Sequence, residues 1–412
     1  MKKLLFIFLI VLCFSCKEES SPAVDLSLSP GNWRLTFDLG NEKELPVQLM
    51  VNEDRTLMIR NADEEITVTE IIIEGDSIFI KPPVFEGYFK GKFQSKELIT
   101  GQHVKPSLDR AVPFTMTAGV DYRFESLDNA RTSSFLSGSY ETVFSPDSKS
   151  DRYIAKGVFT QEGNQVTGTF ETTTGDYRFL QGAVVNDTLK LSTFDGAHAF
   201  LFEAVVRDST LEGMFYSGNH WKEPFTAVLN NDYNLPDATT LTYLKEGYDS
   251  VDFSFKDVDG KQVSLQDAEF KDQVVVVQLL GSWCPNCLEE TRFFQEYINS
   301  QKSDVKFIGL AFEYAPTEKA AMRSIKRLIE AENVTYPILL AQYGSTNKKT
   351  ANEKLPMLNH VLSYPTSIYI DKSGKVRRIH TGYNGLATGQ KHARFKEEFY
   401  HFLKELQTEP LQ

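Results

Sequence analysis

Cysteine is scarce: the 412-residue sequence holds four, at positions 13, 16, 284 and 287. A small disulfide-stapled scaffold is thereby disfavoured, because such folds use several bridges between residues far apart in sequence. A bridge between Cys284 and Cys287 would close a tiny loop and stabilise little. Zinc is disfavoured as well, since it takes four ligands and no second Cys pair or nearby His pair accompanies these two. Positive charge is also in short supply: 44 Lys and Arg face 56 Asp and Glu, a net charge of −12. That argues against a nucleic-acid partner, which demands a basic surface. The largest basic cluster, Lys375–Val376–Arg377–Arg378, reads as a solvated strand edge. The apolar run from Leu4 to Phe14 is too short to cross a bilayer core of roughly 30 Å. No cofactor is expected.

That run follows Lys2 and Lys3, the pattern of a targeting segment. It ends in Cys13–Phe14–Ser15–Cys16, which resembles a bacterial lipobox and makes residues 1–16 a signal peptide with Cys16 as the lipidated residue. The alternative is plain secretory cleavage between Ser20 and Ala23. Acyl chains on Cys16 would anchor the protein, each buried CH₂ contributing about 0.8 kcal/mol. Lys17, in place of an inner-membrane-retaining Asp, favours the outer membrane with the protein on its periplasmic face. Lys17–Glu18–Glu19 resembles the Lys-plus-acidic tag of some Bacteroidetes surface lipoproteins, so the cell surface is the other location, unless the three residues are only a solvated spacer. With Cys13 removed and Cys16 capped, Cys284 and Cys287 are left as the free thiols.

The length suits two or three domains. Residues 17–29, rich in Ser, Glu and Pro, read as a tether. Residues 30–125 and 136–232 then form two β-rich copies of one pattern. Gly31–Asn32–Trp33 opens the first as Gly138–Ser139–Tyr140 opens the second. Phe85–Glu86–Gly87 is echoed by Phe194–Asp195–Gly196, and Pro113–Phe114–Thr115 by Pro224–Phe225–Thr226, in the same order and at a near-constant offset. Turn residues divide each copy into about seven or eight strands, with Ile66 to Ile73 and Ala199 to Val206 as single runs. Tandem antiparallel barrels or sandwiches are expected, avidin- or lipocalin-like in plan, with one large twisted sheet as the alternative. Their aromatics are expected in the core. After a linker, 233–249, residues 250–409 change to α/β character. Gln273 to Leu280 contains four consecutive valines, the mark of a strand buried on both faces.

Between that strand and a helix stands Trp283–Cys284–Pro285–Asn286–Cys287. A cysteine at a helix N-terminus meets unpaired N–H groups and the positive end of the helix dipole, so its thiolate is accessible near neutral pH. Pro285 suits the first helical position, where its missing N–H costs nothing. Cys287, one turn on, is placed to resolve a mixed disulfide formed at Cys284.

Residues 250–408 resemble the TlpA/ResA-like branch of bacterial thioredoxin-fold proteins. The resemblance rests on Asp252–Phe253–Ser254–Phe255–Lys256–Asp257 with Gly260–Lys261–Gln262–Val263–Ser264–Leu265, on the WCPNC motif, and on Tyr364–Pro365–Thr366 as a cis-proline loop. It implies a thioredoxin-like fold, thiol–disulfide exchange through Cys284 and Cys287, and substrate binding at Trp283, Pro285, Tyr364, Pro365 and Thr366. Where thioredoxin itself has a buried Asp, this sequence has Gln278; Glu313 falls near the Glu of the ResA branch and becomes the expected proton acceptor for Cys287. An exposed loop carboxylate is the other reading of Glu313. His360 and His380 are expected to be structural, and the loop Gln342 to Thr346 to shape the substrate groove. The implied partners are disulfide-bonded client proteins, apo-cytochrome c among them, and a membrane thiol carrier of the DsbD/CcdA kind as electron source. The leading expectation is a reductase of client disulfides. An oxidase or isomerase is the first alternative; a ligand-binding surface lipoprotein with a secondary redox domain is the second.

Overall fold

A computed structural model describes residues 26–125, 135–301 and 304–411. The lipobox, Cys16 and the Lys17–Glu18–Glu19 stretch lie outside the described residues.

Both β copies are antiparallel sheets of nine strands, more than the seven or eight expected. The first spans Gly31–Gly40 to Arg110–Ala118, and these two strands pair with each other through Trp33 opposite Ala118. Alternation sets its faces: Trp33, Leu35 and Phe37 point inward while the residues between them are less buried. The run Ile66 to Ile73, expected as one strand, is two: Glu64–Val68 and Glu70–Glu74. The physical reason is a change of phase. Ile66 and Val68 face inward on even numbers, Ile71 and Ile73 on odd ones, so one continuous pleat cannot bury both pairs. The two strands sit at opposite ends of the sheet order without pairing, and the first copy stays open there.

The second copy closes. Its strands run from Gly138–Phe144 to Trp221–Leu229, which pair with each other, and a ladder between Tyr153–Glu162 and Gln165–Thr172 completes an eight-stranded ring. The ninth strand, Gly175–Asp176, folds back on Gln165–Thr172 as a short hairpin at the rim. Aromatics fill this barrel: Phe144, Phe170, Phe202 and Phe225 are almost wholly buried and mutually in contact. The two copies also share a core. Phe194 of the second packs on Phe37 and Phe89 of the first, and Asn61 pairs with its backbone, donating to the Phe194 carbonyl at 2.9 Å and accepting from its amide at 3.2 Å.

The C-terminal domain is a seven-stranded mixed sheet flanked by helices. Val275–Leu280, at its centre, is buried throughout and pairs in parallel with Lys306–Phe312 and antiparallel with Thr366–Ile370. Ile338–Gln342 continues the parallel side and Val376–Thr381 forms the far edge. Helices Pro285–Gln301, Glu318–Glu332 and Gln390–Thr408 cover the faces, the last packing Phe399 and Leu403 inward. The basic cluster lies on the edge strand, where Arg377 pairs with Glu409 and Arg378 covers the Phe402 ring. Val84, Phe85 and Ala197 from the β copies join the hydrophobic core of this domain. The duplicated Phe85–Glu86–Gly87 and Phe194–Asp195–Gly196 loops therefore converge on it, and Gly196, at φ +90°, turns its bare Cα toward the Phe85 ring.

Candidate active site

The central strand ends at Leu280, and the turn Gly281–Trp283 delivers the chain into the helix that begins at Pro285. Cys284 sits at the helix N-terminus and is joined by a disulfide to Cys287, with 5.2 Å between their Cα atoms. The Cys287 amide N–H donates to Cys284 Sγ at 3.2 Å, an interaction that favours negative charge on this sulfur when the bond is reduced. Cys284 is 6% exposed and Cys287 1%, so Cys284 is the sulfur a partner can reach.

The residues expected beside the cysteines are brought together there. The Tyr364–Pro365 peptide is cis, and Cys284 Sγ lies 3.5 Å from the Tyr364 carbonyl oxygen. Thr366 Oγ1 donates to the Ser363 carbonyl, bracing the loop. Trp283 Nε1 donates to the Phe312 carbonyl at 2.9 Å, and its ring packs edge-on to Tyr364. His380 is half-buried and far below its ordinary pKa, at about 4, chiefly because desolvation disfavours the charged ring.

Glu313 is buried, not an exposed loop carboxylate. It follows strand Lys306–Phe312 and accepts from the Ser282 amide at 2.7 Å and the Ser282 hydroxyl at 2.8 Å. Burial pushes its pKa up to about 7 against the opposing effect of those two bonds. Its direct contacts are thus with the turn before Cys284.

A second buried carboxyl escaped sequence reasoning. Glu290 stands one helical turn after Cys287 and is also pushed up to about 7 by burial, with Ser367 and Gln278 donating to it. Gln278 Nε2 is shared between Glu290 and the Cys287 carbonyl, so this side chain ties Glu290 to the resolving cysteine. The available signal was the three-residue spacing from Cys287, which puts Glu290 on the same helix face.

Other residues missed come from far away in sequence. Asn286 donates to the Asp176 carbonyl at 3.0 Å, and Ser363 Oγ to the Thr174 carbonyl at 2.8 Å. Arg178 forms a buried ion pair with Glu289 of the active-site helix and another with Glu64 of the first copy, the latter at 2.5 Å. Nothing local in the sequence marks these contacts.

Comparison with known proteins adds the final observation. Residues 236–391 match the family model described as Redoxin. The chain is 29% identical over 139 residues to the thioredoxin-like protein YneN of Bacillus subtilis (strain 168), covering 34% of this chain and 73% of that protein. It is 24% identical over 131 residues to the sporulation thiol-disulfide oxidoreductase A of the same strain, covering 32% and 70%. It is 26% identical over 145 residues to the thiol-disulfide oxidoreductase ResA of Geobacillus thermodenitrificans (strain NG80-2), covering 35% and 74%. The C-terminal domain belongs to the TlpA/ResA-like thiol–disulfide oxidoreductases. As a member of that family it is a protein thiol–disulfide oxidoreductase acting on disulfide-bearing clients, and the matched region of the chain contains Cys284 and Cys287.

Proposed function

We propose that this protein is a membrane-anchored, extracytoplasmic reductase of client-protein disulfides. The observation that carries the direction is the pair of buried carboxyls, Glu290 and Glu313, beside the CxxC turn. When ionised, both disfavour a further negative charge nearby, so they oppose the thiolate and favour the disulfide form of the pair. A pair that prefers to be oxidised gives up its electrons readily.

Cys284 thiolate attacks one sulfur of the client disulfide, forming a mixed disulfide and releasing the first client thiolate, which takes a proton from water. Cys287 gives its proton to a buried carboxylate and attacks Cys284 Sγ, releasing the second client thiolate. Two electrons have moved to the client and the Cys284–Cys287 disulfide remains. Glu290, linked to Cys287 through Gln278, is the carboxyl with a connection to that cysteine, while Glu313 braces Ser282 in the turn before Cys284. A membrane thiol carrier of the DsbD/CcdA kind would restore the dithiol. Lys2, Lys3, the apolar run and Cys16 support lipid anchoring and Lys17 supports the outer membrane, with the periplasmic face giving access to such a carrier.

The reduction potential of the full chain tests the direction. A value near or below about −270 mV is expected; one near about −120 mV would make the protein an oxidant and overturn the reading.

A further inference from the structure

Cys284 is the reachable sulfur, yet only 6% of it is exposed, and a segment of another domain is bonded to residues on both sides of it, Asn286 and Ser363. The hairpin of the second β copy, Thr172 to Asp176, crosses the surface between the CxxC turn and the cis-proline loop. It is held at both sides. The Thr174 carbonyl accepts from Ser363, the Asp176 carbonyl from Asn286, and Asp176 Oδ2 from the Gly385 amide at 2.6 Å. At the hairpin's base Glu171 pairs with Lys391 at 2.9 Å, and just beyond it Arg178 is buried between Glu289 and Glu64. The packing is close enough to restrict side chains. Gly175, at φ +135°, has Asn286 where a Cβ would go, and Gly382 has the Thr174 backbone there.

Two adjoining cavities lie beside the redox turn, and the hairpin lines the second of them. One, of about 280 Å³, has Trp283 and Tyr314 on one wall and Phe85, Lys105 and Arg110 on the other. The second, of about 630 Å³, has Asn286 on one wall and Phe200 and Phe215 on the other. They share His198, Ser217 and His220, so the two form one groove past the residues that flank Cys284 and Pro285. Such volumes are those of small-ligand pockets, roughly 300–1,000 Å³. They take a few side chains of a chain in extended form.

We propose that the hairpin Thr172 to Asp176 is a specificity-determining cap, which limits the enzyme to disulfides carried on extended peptide segments. The groove supplies aromatic walls for apolar side chains and the Lys105 and Arg110 cations for acidic ones. The β region is on this view the substrate-selecting half of the redox site. The proposal rests on the reductase reading for its turnover assay, but the cap itself does not depend on the direction of electron flow.

The test uses the full chain and one disulfide in two settings: a folded protein with a surface disulfide, and the proteolytic peptide containing it. Each reduction rate is divided by the rate with dithiothreitol, which removes the intrinsic difference between the substrates. The wild-type chain should prefer the peptide at least about tenfold, and Asp176→Ala should cut that preference severalfold by accelerating the folded substrate. Ser363→Ala, which deletes one hydroxyl, serves as the milder variant if Asp176→Ala fails to fold. Equal normalised rates in the wild type overturn the cap, as does an unchanged preference in a folded variant. If neither substrate is reduced, the reductase reading fails and the cap is read from alkylation of reduced Cys284. A maleimide carried on a folded protein should then react faster with the variant than with the wild type, relative to iodoacetamide, and equal ratios overturn the cap.

Discussion

The two β copies began from one pattern and now do different things. The first is an open sheet, interrupted where the side-chain phase slips at Thr69, and its outlying strands Glu64–Val68 and Glu70–Glu74 do not meet. The second is a closed barrel with a two-residue strand added at its rim, and that added hairpin reaches the redox turn. Closure matters for this role. A rim hairpin on a ring of eight paired strands has a fixed base, whereas the edge of an open sheet is free to twist. The duplicated Phe-acid-Gly loops show the same divergence on a smaller scale. Phe85 joins the core of the C-terminal domain, while Phe194 joins the core of the first copy.

Arg178 is where this contrast is most exposed to a test. It connects the second copy to Glu64 of the first and Glu289 of the active-site helix, and it is 9% exposed at its side chain. Removing one partner of a buried ion pair leaves uncompensated charge and costs about 3–5 kcal/mol. Arg178→Ala should therefore lower the denaturation free energy by that amount in urea unfolding followed by circular dichroism. A loss under about 1 kcal/mol would mean that the second copy is not anchored through this residue.

Glu289 and Glu290 sharpen the comparison from the redox side. The first is paired with Arg178 from the barrel, whereas the second accepts from Gln278 and Ser367, both neutral donors. Its pKa rises from 4.5 to about 7, so the folded state binds the proton more tightly than the unfolded chain. Stability from this group is complete below about pH 4.5 and is lost as the pH climbs through about 7. A tenfold difference in proton affinity corresponds to about 1.4 kcal/mol, so the loss amounts to a few kcal/mol. Glu290→Gln should raise the melting temperature at about pH 8 and change it little at about pH 4. An equal change at both values would remove titration of Glu290 as the cause.

The smallest effect is expected where the copies touch at the surface. Lys43 of the first copy meets Glu203 of the second at 2.6 Å, with the lysine side chain 39% exposed. Exposed pairs contribute about 0–1 kcal/mol. Lys43→Ala should stay within that range in the same urea assay, and a cost above about 2 kcal/mol would show that the two copies depend on their rim charges as much as on Phe194 and Asn61.

Much of the C-terminal domain was legible because its signals are local. A strand buried on both faces reads as a valine run, and a helix start reads as Cys-Pro. The β copies were legible as a repeat and as antiparallel sheet, but not in strand number. The break at Thr69 lies inside an apolar stretch with no Gly or Pro to mark it. Glu313 was found through its position in a family pattern, and its burial against Ser282 emerged only with the fold. Glu290 was hidden among the polar residues of a helix whose active-site end is buried.

By itself the sequence determined the redox chemistry, since a strand, a turn and a helix N-terminus place Cys284 and Cys287 within reach of each other through backbone geometry alone. Only the tertiary structure decided what surrounds that pair. Thr174 meets Ser363 across 189 positions and Asp176 meets Asn286 across 110. Such contacts follow from barrel closure and domain docking, which depend on many weak interactions at once and leave no pattern in any short stretch of chain. The same holds for the two carboxyls, whose pKa values are raised by burial, a property of the assembled fold and not of either residue.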